Sequence, residues 1–298
     1  MKLTNRVLVV GLGLIGSSFA QAIKHTGLVG EVIGVSRSPS TLFKALDMGV
    51  VDRCEEQLST ALAQLSAGDV VMIATPTLTV KSILQQCGDA LRRGVVVTDG
   101  ASVKGNIEQD ARSMFPAEHL RHLVLGHPIA GSEKSGVEAA NPKLYINHRV
   151  ILTPLPETDA ESLELVTKLW QACGAVVNAM SVQEHDLVLA ATSHLPHVLA
   201  FALVDALSQQ KENHDIFKYA AGGFKDFTRI ASSDPMMWHD ILLANSDAVL
   251  ERMDQLQQQL EWMRKAILAK DSDAILSSFK RANAAREHFL NLYQNLGA

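Results

Sequence analysis

The chain has 298 residues, which is enough for about two domains with a sizeable hydrophobic core. Its 27 basic and 32 acidic residues give a net charge of −5 without a basic block, which argues against a nucleic-acid-binding protein. The 47% of hydrophobic residues argues against a disordered chain. The sequence shows no secretory signal or apolar run of membrane-spanning length, so we expect a cytoplasmic protein without a membrane segment. Cys54, Cys87 and Cys173 are too scattered for a disulfide framework.

Up to about residue 180, strand-like and helical patterns alternate. The segments that predict strands are short, apolar and rich in β-branched residues: 6–10, 31–35, 70–74, 95–99, 123–126, 150–153 and 175–180. Near-continuous apolar runs are typical of strands that are covered on both faces. The alternation therefore predicts an α/β domain over residues 1–180 with a doubly wound parallel sheet.

Beyond residue 180 the patterns are helical. We predict helices over 181–208, 216–231, 235–269 and 272–296, which together form an all-helical domain at 181–298. The third of these carries an apolar stripe spaced alternately by four and three residues: Val249, Met253, Leu256, Leu260, Met263 and Ile267. The stripe indicates packing within the chain or a subunit interface. We favour a homodimer formed through these C-terminal helices.

A glycine-rich segment follows the first predicted strand and opens an amphipathic helix. Gly11, Gly13 and Gly16 fit the pattern GxGxxG, with Leu14 and Ile15 between the last two glycines. In a strand–loop–helix context this pattern predicts a dinucleotide site, because glycines allow the tight turn and the close approach of the pyrophosphate. The first domain is therefore Rossmann-like, and the helix N-terminus supplies N–H groups for the phosphates.

The end of the second strand indicates which nicotinamide cofactor binds. NAD enzymes place an acidic residue there, about 20 residues past the loop, against the ribose 2′-hydroxyl. This chain has Ser36, Arg37 and Ser38 instead. Arg37 suits a 2′-phosphate and the serines can donate hydrogen bonds, so we favour NADP. NAD remains the alternative, with Arg37 stacking on the adenine.

Polar residues follow three later strands at the edge where open α/β sheets bind ligands. Thr75, Pro76 and Ala101 are predicted to contact the cofactor there. Ser102 and His127 follow apolar strands at the same edge, so both are expected to face the nicotinamide. An imidazole accepts a proton near pH 7 without a large shift of its pKa, which makes His127 a candidate base.

The helical half contributes two further histidines. His194 and His197 lie three residues apart, on one face of a helix that Pro196 is expected to kink. His185 and Asp186 would be further ligands if these histidines bound a metal ion. We predict no metal site, because hydride transfer to a nicotinamide needs none.

Two cations lie in the following helix. Lys225 and Arg229 sit among glycine and aromatic residues in the segment 222–231. A solvent-exposed helix face would also account for them. Their neighbours favour a cleft, where two cations suit an anionic substrate.

Taken together, these segments resemble one family. GHPIAGSE at 126–133, SHLPH at 193–197 and GGFKDFTRIA at 222–231 accompany the glycine loop, the segment 98–104 and the pair His185-Asp186. Nearly end to end, the chain resembles the prephenate/arogenate (cyclohexadienyl) dehydrogenases of tyrosine biosynthesis. The resemblance implies oxidative decarboxylation of a ring carbinol with hydride transfer to a nicotinamide cofactor.

The resemblance also implies roles for single residues. His127 would accept the proton of the 4-hydroxyl group, and Ser102 would either hydrogen-bond that hydroxyl or orient His127. His197 would lie near a substrate carboxylate, and Arg229 would clamp a carboxylate. The other residues expected to bind substrate are Ser132, Glu133, His194 and Lys225.

Several alternatives stay open. A β-hydroxyacid or 6-phosphogluconate-type dehydrogenase would use a lysine on the first long helix of the second domain, and the segment 181–208 has none. A nucleotide-sensing regulator without catalysis is disfavoured by the joint presence of His127, Ser102 and Arg229. Prephenate and arogenate cannot be ranked from the sequence. We expect neither a chorismate mutase segment nor a regulatory domain, so any tyrosine feedback would act at the active site.

Overall fold

The computed structural model describes residues 2–132, 134–211 and 213–295. Within these residues eight strands form one sheet: β1 Thr4–Val10, β2 Val29–Val35, β3 Arg53–Glu55, β4 Val70–Ile73, β5 Val96–Asp99, β6 Leu123–Pro128, β7 Arg149–Pro154 and β8 Val176–Ala179. The helices of the sheet region are α1 Leu14–Thr26, α2 Pro39–Asp47, α3 Leu58–Ala63, α4 Val80–Gln86, α5 Gly88–Arg92, α6 Gly105–Met114, α7 Ala117–Leu120 and α8 Ala160–Ala172. Short 3₁₀ turns lie at Thr77–Thr79, Val137–Ala139 and Arg229–Ser232. The later helices are α9 Val182–Leu189, α10 Leu195–Ser208, α11 Asn213–Lys218, α12 Gly222–Thr228, α13 Pro235–Ala244, α14 Ser246–Leu268 and α15 Ser272–Asn295.

The sheet confirms the doubly wound fold and corrects two of its details. The strand order is β3-β2-β1-β4-β5-β6-β7-β8, and β1 to β6 pair in parallel. β7 pairs antiparallel with β6, so the prediction of an all-parallel sheet is wrong at this end. β3, which the sequence analysis missed, is a three-residue edge strand without an apolar run. The carboxyl ends of β1, β4, β5 and β6 share one edge of the sheet, where the candidate residues gather.

Both faces of the sheet are covered, which explains the near-continuous apolar strands. In β1, Val7 and Val9 pack on one side with Phe19 and Trp170, while Leu8 packs on the other. The first layer is formed by α1, α2 and α8, and the second by α3, α4, α5 and α6. Because successive side chains of a strand point to opposite faces, a strand buried on both sides has to be apolar throughout.

The helical region is more broken than its sequence pattern predicts. A π-helical turn, Ala190–His194, separates α9 from α10. It immediately precedes Pro196, which cannot donate the regular helical hydrogen bond, so the expected kink takes the form of a widened turn. The segment predicted as one helix over 216–231 divides into α11, α12 and a 3₁₀ turn, and the helix predicted over 235–269 is interrupted at Asn245.

The run Val182–Ser208 corrects the expectation about apolar segments. It is long and apolar enough, by length and composition alone, to cross a membrane, and its best window has a mean hydropathy of 1.8. The run nevertheless carries His185, Asp186 and His194, which are buried and hydrogen-bonded to other parts of the fold. The polar residues of this apolar segment therefore have hydrogen-bond partners inside the protein.

The contacts divide the chain into two compact units, Met1–Asn245 and Ser246–Ala298. The first unit therefore combines the sheet with α9 to α13, whereas the predicted domain boundary near residue 180 rests on sequence pattern and stays a prediction. The second unit contains α14 and α15. On α14, Met253, Leu260 and Ile267 of the apolar stripe are exposed in the single chain.

Candidate active site

The glycine loop has the geometry that a dinucleotide requires. Gly11 has a φ of +96°, and a Cβ there would lie 2.6 Å from the carbonyl oxygen of Ala74. A Cβ at Gly16 would lie 2.0 Å from the carbonyl oxygen of Gly11, so α1 packs too closely for a side chain. A Cβ at Gly13 would meet nothing within 4 Å, which leaves open space beside the start of α1. Gly13 caps α1 without a side-chain hydrogen bond, so the helix N-terminus is available to a phosphate.

Other residues predicted to contact the cofactor lie at the same edge. Leu14 and Ile15 are half-buried in the first turn of α1, and the carbonyl of Ile15 accepts a hydrogen bond of 2.6 Å from the Tyr145 hydroxyl. Thr75 and Pro76 follow β4, and the Thr75 hydroxyl oxygen is buried without a hydrogen-bond partner. An unpartnered hydroxyl beside the glycine loop is consistent with a polar ligand.

The turn after β2 presents a cation. Arg37 is exposed, and no described carboxylate lies within ion-pair distance of it. The Ser36 hydroxyl accepts the Ser38 N–H at 3.2 Å, and the Ser38 hydroxyl accepts the Thr41 N–H at the start of α2. The turn is thereby held in shape while the guanidinium stays available to an anion.

A buried ion pair holds the turn after β5. The Lys104 side chain is fully buried, and its Nζ donates to a carboxylate oxygen of Asp99 and to the carbonyl of Gly126. The same Asp99 oxygen accepts the Ala101 N–H at 2.9 Å. These bonds tie the ends of β5 and β6 together. Ser102 is half-buried between them and makes no described hydrogen bond.

His127 lies at the end of β6 and is buried against the helical region. Its Nδ1 lies 2.9 Å from Nε2 of His185 on α9, and Nδ1 of His185 lies 2.7 Å from Oδ1 of Asp186. Orienting His127 was one of the two roles expected of Ser102, but the described hydrogen-bond partner of this imidazole is His185. Asp186 in turn accepts backbone N–H groups of Lys104 and Gly105.

Burial lowers the pKa of His127 well below its ordinary value, and electrostatic interactions with Lys104 and with the neighbouring His185 and His194 rings lower it further. The ring is therefore neutral at pH 7 and able to accept a proton. This differs from the sequence-based expectation of a histidine with little perturbation. Both ring nitrogens of His185 bond protein atoms, which leaves this side chain no lone pair for the metal site considered above.

The π-helical turn positions two more histidines. His194 is buried, its Nδ1 lies 3.1 Å from Nδ2 of Asn245, and burial lowers its pKa to about 4. His197 is half-buried, donates from Nδ1 to the Ser193 carbonyl at 2.9 Å, and stacks on Trp238 with ring centroids 3.5 Å apart. Because Nδ1 is the donor, Nε2 of the neutral His197 ring is an acceptor. His197 can donate a hydrogen bond from Nε2 to a carboxylate only when the ring is protonated.

The cationic residues lie on the outer side of this cluster. Arg229 begins a 3₁₀ turn, is exposed, and lies close enough to His197 to contribute, after burial, to its lowered pKa. Lys225 on α12 and Ser132 after β6 are exposed, and no described side-chain interaction joins them to the histidines. Glu133 lies outside the described residues. The structure thus brings His127, His194, His197 and Arg229 into one connected region, while the other substrate contacts remain predictions.

The sequence analysis did not predict three residues of this region as part of the site. They are Lys104, Trp238 and Asn245. Asn245 joins two elements, because its Nδ2 lies 2.9 Å from the Asp186 carbonyl oxygen and 3.1 Å from His194. Only Lys104 carried a signal, as a lysine directly after an apolar strand at the ligand-binding edge.

Comparisons with known proteins agree with this geometry. The family model for the nucleotide-binding domain of prephenate dehydrogenase matches residues 19–179, and that for its dimerization domain matches residues 181–281. The cyclohexadienyl dehydrogenase of Zymomonas mobilis is 34% identical, with 96% of each chain covered. The prephenate dehydrogenase of Bacillus subtilis is 35% identical over 96% of this chain and 76% of its own length.

A solved structure is also similar nearly end to end. The prephenate dehydrogenase from Aquifex aeolicus, in complex with hydroxyphenyl propionate and NAD+, is 37% identical and has a TM-score of 0.88. The comparison covers 96% of this chain and 98% of that one. With two matching domain models, a shared fold and a histidine cluster at the cofactor edge of the sheet, the chain belongs to the prephenate dehydrogenase family.

Proposed function

We propose that the protein catalyses the NAD(P)-dependent oxidative decarboxylation of prephenate, arogenate or both in tyrosine biosynthesis. The observation that carries this proposal is a buried, neutral imidazole at the cofactor edge of the sheet. His127 is 8% exposed, and only its Nδ1 has a described partner. Its Nε2 is therefore available to a substrate hydroxyl at the sheet edge that also carries the glycine loop.

The proton balance of the reaction fits such a base. The bound nicotinamide takes the hydride from C4 of the ring. His127 accepts the proton of the 4-hydroxyl group, and the C1 carboxylate leaves as CO₂ while its bonding electrons complete the aromatic ring. His127 then returns the proton to the phenolate oxygen. No net proton is released, so a buried base is adequate. A positioned base contributes ~10²–10⁴ in rate.

The remaining polar groups suit the ends of the substrate. Arg229 offers a planar guanidinium without a described carboxylate partner, which fits bidentate binding of a substrate carboxylate. Ser102, with no described partner of its own, suits the 4-hydroxyl group. Lys225, Ser132 and Glu133 are proposed to line the pocket near the side chain of the substrate.

For the cofactor we propose a preference for NADP over NAD. Arg37 is exposed and has no carboxylate partner in the described part of the chain, and none of residues 36–38, directly after β2, is acidic. A carboxylate at that position would repel a 2′-phosphate, whereas Arg37 would pair with it. The relative from Aquifex aeolicus was solved with NAD+, so the proposal of NADP rests on the residues after β2 in this chain alone.

We also propose a cytoplasmic homodimer assembled through α14 and α15. The family model over residues 181–281 is named a dimerization domain, and apolar residues such as Leu260, Ile267 and Phe279 are exposed in the single chain. Pairing would remove this apolar surface from water. Tyrosine, if it inhibits, is proposed to bind in the active site. Light scattering is expected to give twice the mass of one chain.

The test of the activity is absorbance at 340 nm with each substrate and each cofactor in parallel. We expect turnover with prephenate or arogenate and a higher kcat/KM with NADP than with NAD. Absence of turnover in all four combinations, with nucleotide binding intact, would instead favour the sensor hypothesis.

A further inference from the structure

The hydrogen bonds from His127 to His185 continue to the carboxylate of Asp186, and the contacts of Asp186 set its protonation state. Asp186 Oδ1 accepts the Lys104 N–H at 3.0 Å, and Oδ2 accepts the Gly105 N–H at 2.7 Å, at the start of α6. Gly105 is required for this contact, since a Cβ there would lie 2.7 Å from Oδ2. Burial by itself would raise the pKa of Asp186, but the hydrogen bonds from His185 and the two backbone groups lower it below its ordinary value. Asp186 is therefore ionised, and both of its oxygens act as acceptors.

This fixed end sets the direction of every hydrogen bond in the chain of groups. Nδ1 of His185 has to donate to Asp186, so Nε2 of the uncharged His185 ring can only accept. The bond of 2.9 Å to His127 then requires His127 to donate from Nδ1. His127 consequently carries its lone pair on Nε2, the nitrogen without a described partner.

The surrounding charges are compatible with an uncharged His185. Its ring is fully buried, where a hydrogen-bonded chain without a further buried charge is favoured. The Asp186 charge is already stabilised by two N–H groups at a helix N-terminus. Among the described residues, the other ionisable groups that interact with the pair are Lys104, which pairs with Asp99, and His194, whose pKa of about 4 keeps it neutral at pH 7.

We propose that His185 is a positioning residue, anchored by Asp186, that fixes the tautomer of the catalytic base His127. This rests on the proposed function, in which His127 accepts the proton of the substrate. A solvent-exposed histidine side chain prefers the tautomer with the proton on Nε2, which cannot accept a proton there. The bond to His185 reverses that preference before substrate binds. When His127 takes up the substrate proton, its Nδ1–H bond to His185 strengthens because the donor is then charged.

The direct test is ¹⁵N NMR of the histidine rings in the full-length protein at pH 7. The His127 signal is assigned by its absence in His127→Asn. We expect Nδ1 protonated and Nε2 unprotonated in the wild type. A spectrum with the proton on Nε2 of His127 would overturn the proposal, and this readout does not depend on any substrate.

Three variants separate tautomer control from packing. In His185→Gln the amide oxygen can accept from His127, so we expect kcat within about tenfold of the wild type. His185→Leu fills the space without an acceptor, so we expect a kcat loss of about 10²-fold or more, unchanged KM, and the proton of His127 moving to Nε2. The matched control is His122→Gln, just before β6, where a half-buried imidazole contacts Ser162 instead of the site.

The outcomes of this experiment are distinct. Equal kcat in His185→Leu and the wild type would overturn the positioning role. A Leu variant that fails to fold leaves the wild-type NMR spectrum and the Gln variant as the decisive measurements. A wild type with the expected tautomer but no turnover on either substrate would contradict the proposed function and leave the tautomer assignment intact.

Discussion

The glycine loop and the histidine cluster lie on the same edge of the sheet, but the chain specifies them in different ways. The loop is six consecutive residues, and its geometry follows from three glycines whose Cβ positions are either occluded or left open. The cluster joins residues that are 58 positions apart in His127 and His185, and 82 apart in Lys104 and Asp186. A local site can be read from a motif, whereas a non-local site depends on how two regions pack.

A substitution of the candidate base His127 gives the strongest test of the difference between the glycine loop and the histidine cluster. We expect His127→Asn to lower kcat by about 10²-fold or more, since a general base supplies ~10²–10⁴ in rate. Cofactor affinity, followed by fluorescence titration, is expected to stay within about twofold of the wild type, because the glycine loop is a separate local structure. A variant with undiminished turnover would remove His127 from the mechanism.

The second test concerns the loop alone. A Cβ in Gly16→Ala would collide with the backbone of Gly11, so we expect dinucleotide affinity to fall by ~100-fold and the melting temperature to fall as well. Gly13→Ala is the matched variant, because its Cβ meets no protein atom within 4 Å. We expect Gly13→Ala to keep the wild-type melting temperature. Its dinucleotide affinity should fall only because the new Cβ occupies space that the pyrophosphate needs. A stable, tightly binding Gly16→Ala protein would contradict the packing argument.

At the substrate end, Arg229→Ala is expected to raise KM by ~10- to 150-fold, which corresponds to the loss of about 1.5–3 kcal/mol for a hydrogen bond to a charged group. Its effect on kcat should be smaller. Arg229→Lys keeps the charge but not the planar fork, so we expect it to recover only part of the loss. Steady-state kinetics on both substrates provide the measurement, and an unchanged KM in Arg229→Ala would rule out the clamp.

For cofactor choice, Arg37→Ala is expected to lower the ratio of kcat/KM for NADP to that for NAD by ~10-fold, the loss of about one charge-assisted bond. Arg92→Ala is a suitable control, because Arg92 is an exposed arginine on α5 that pairs only with Asp89 among the described carboxylates. Equal ratios in Arg37→Ala and the wild type would mean that Arg37 does not contact the 2′-phosphate.

The smallest effect on activity at pH 7 is expected from His194, which instead affects stability in acid. Its pKa is about 4 in the folded protein, against about 6.5 in an unfolded chain. The unfolded state therefore binds more protons between these values, and the free energy of unfolding decreases as the pH falls from about 6.5 to 4, by at most about 3 kcal/mol. Urea titrations across this range should show a shallower decrease in His194→Gln.

Most of the secondary structure was predictable because it follows from short-range pattern. Buried strands such as β1 and β4 are apolar throughout, and they were predicted correctly. β3 was missed because a short edge strand needs no apolar run. The reversal of β7 was missed because an apolar strand has the same two-residue period in either direction. The interruption at Asn245 escaped because its side chain bonds groups 51 and 59 residues away.

The sequence by itself determined the dinucleotide loop and most strands of the sheet, since each depends on residue types at fixed spacings. The candidate base and cation were expected from a family resemblance and stay predictions. Only the tertiary structure decided that His127 bonds His185, that Asp186 anchors the pair at the start of α6, and that Trp238 stacks on His197. The physical reason is that a hydrogen bond or a ring contact requires atoms within a few ångströms. Only the packing of α9 and α13 against the sheet edge provides that proximity.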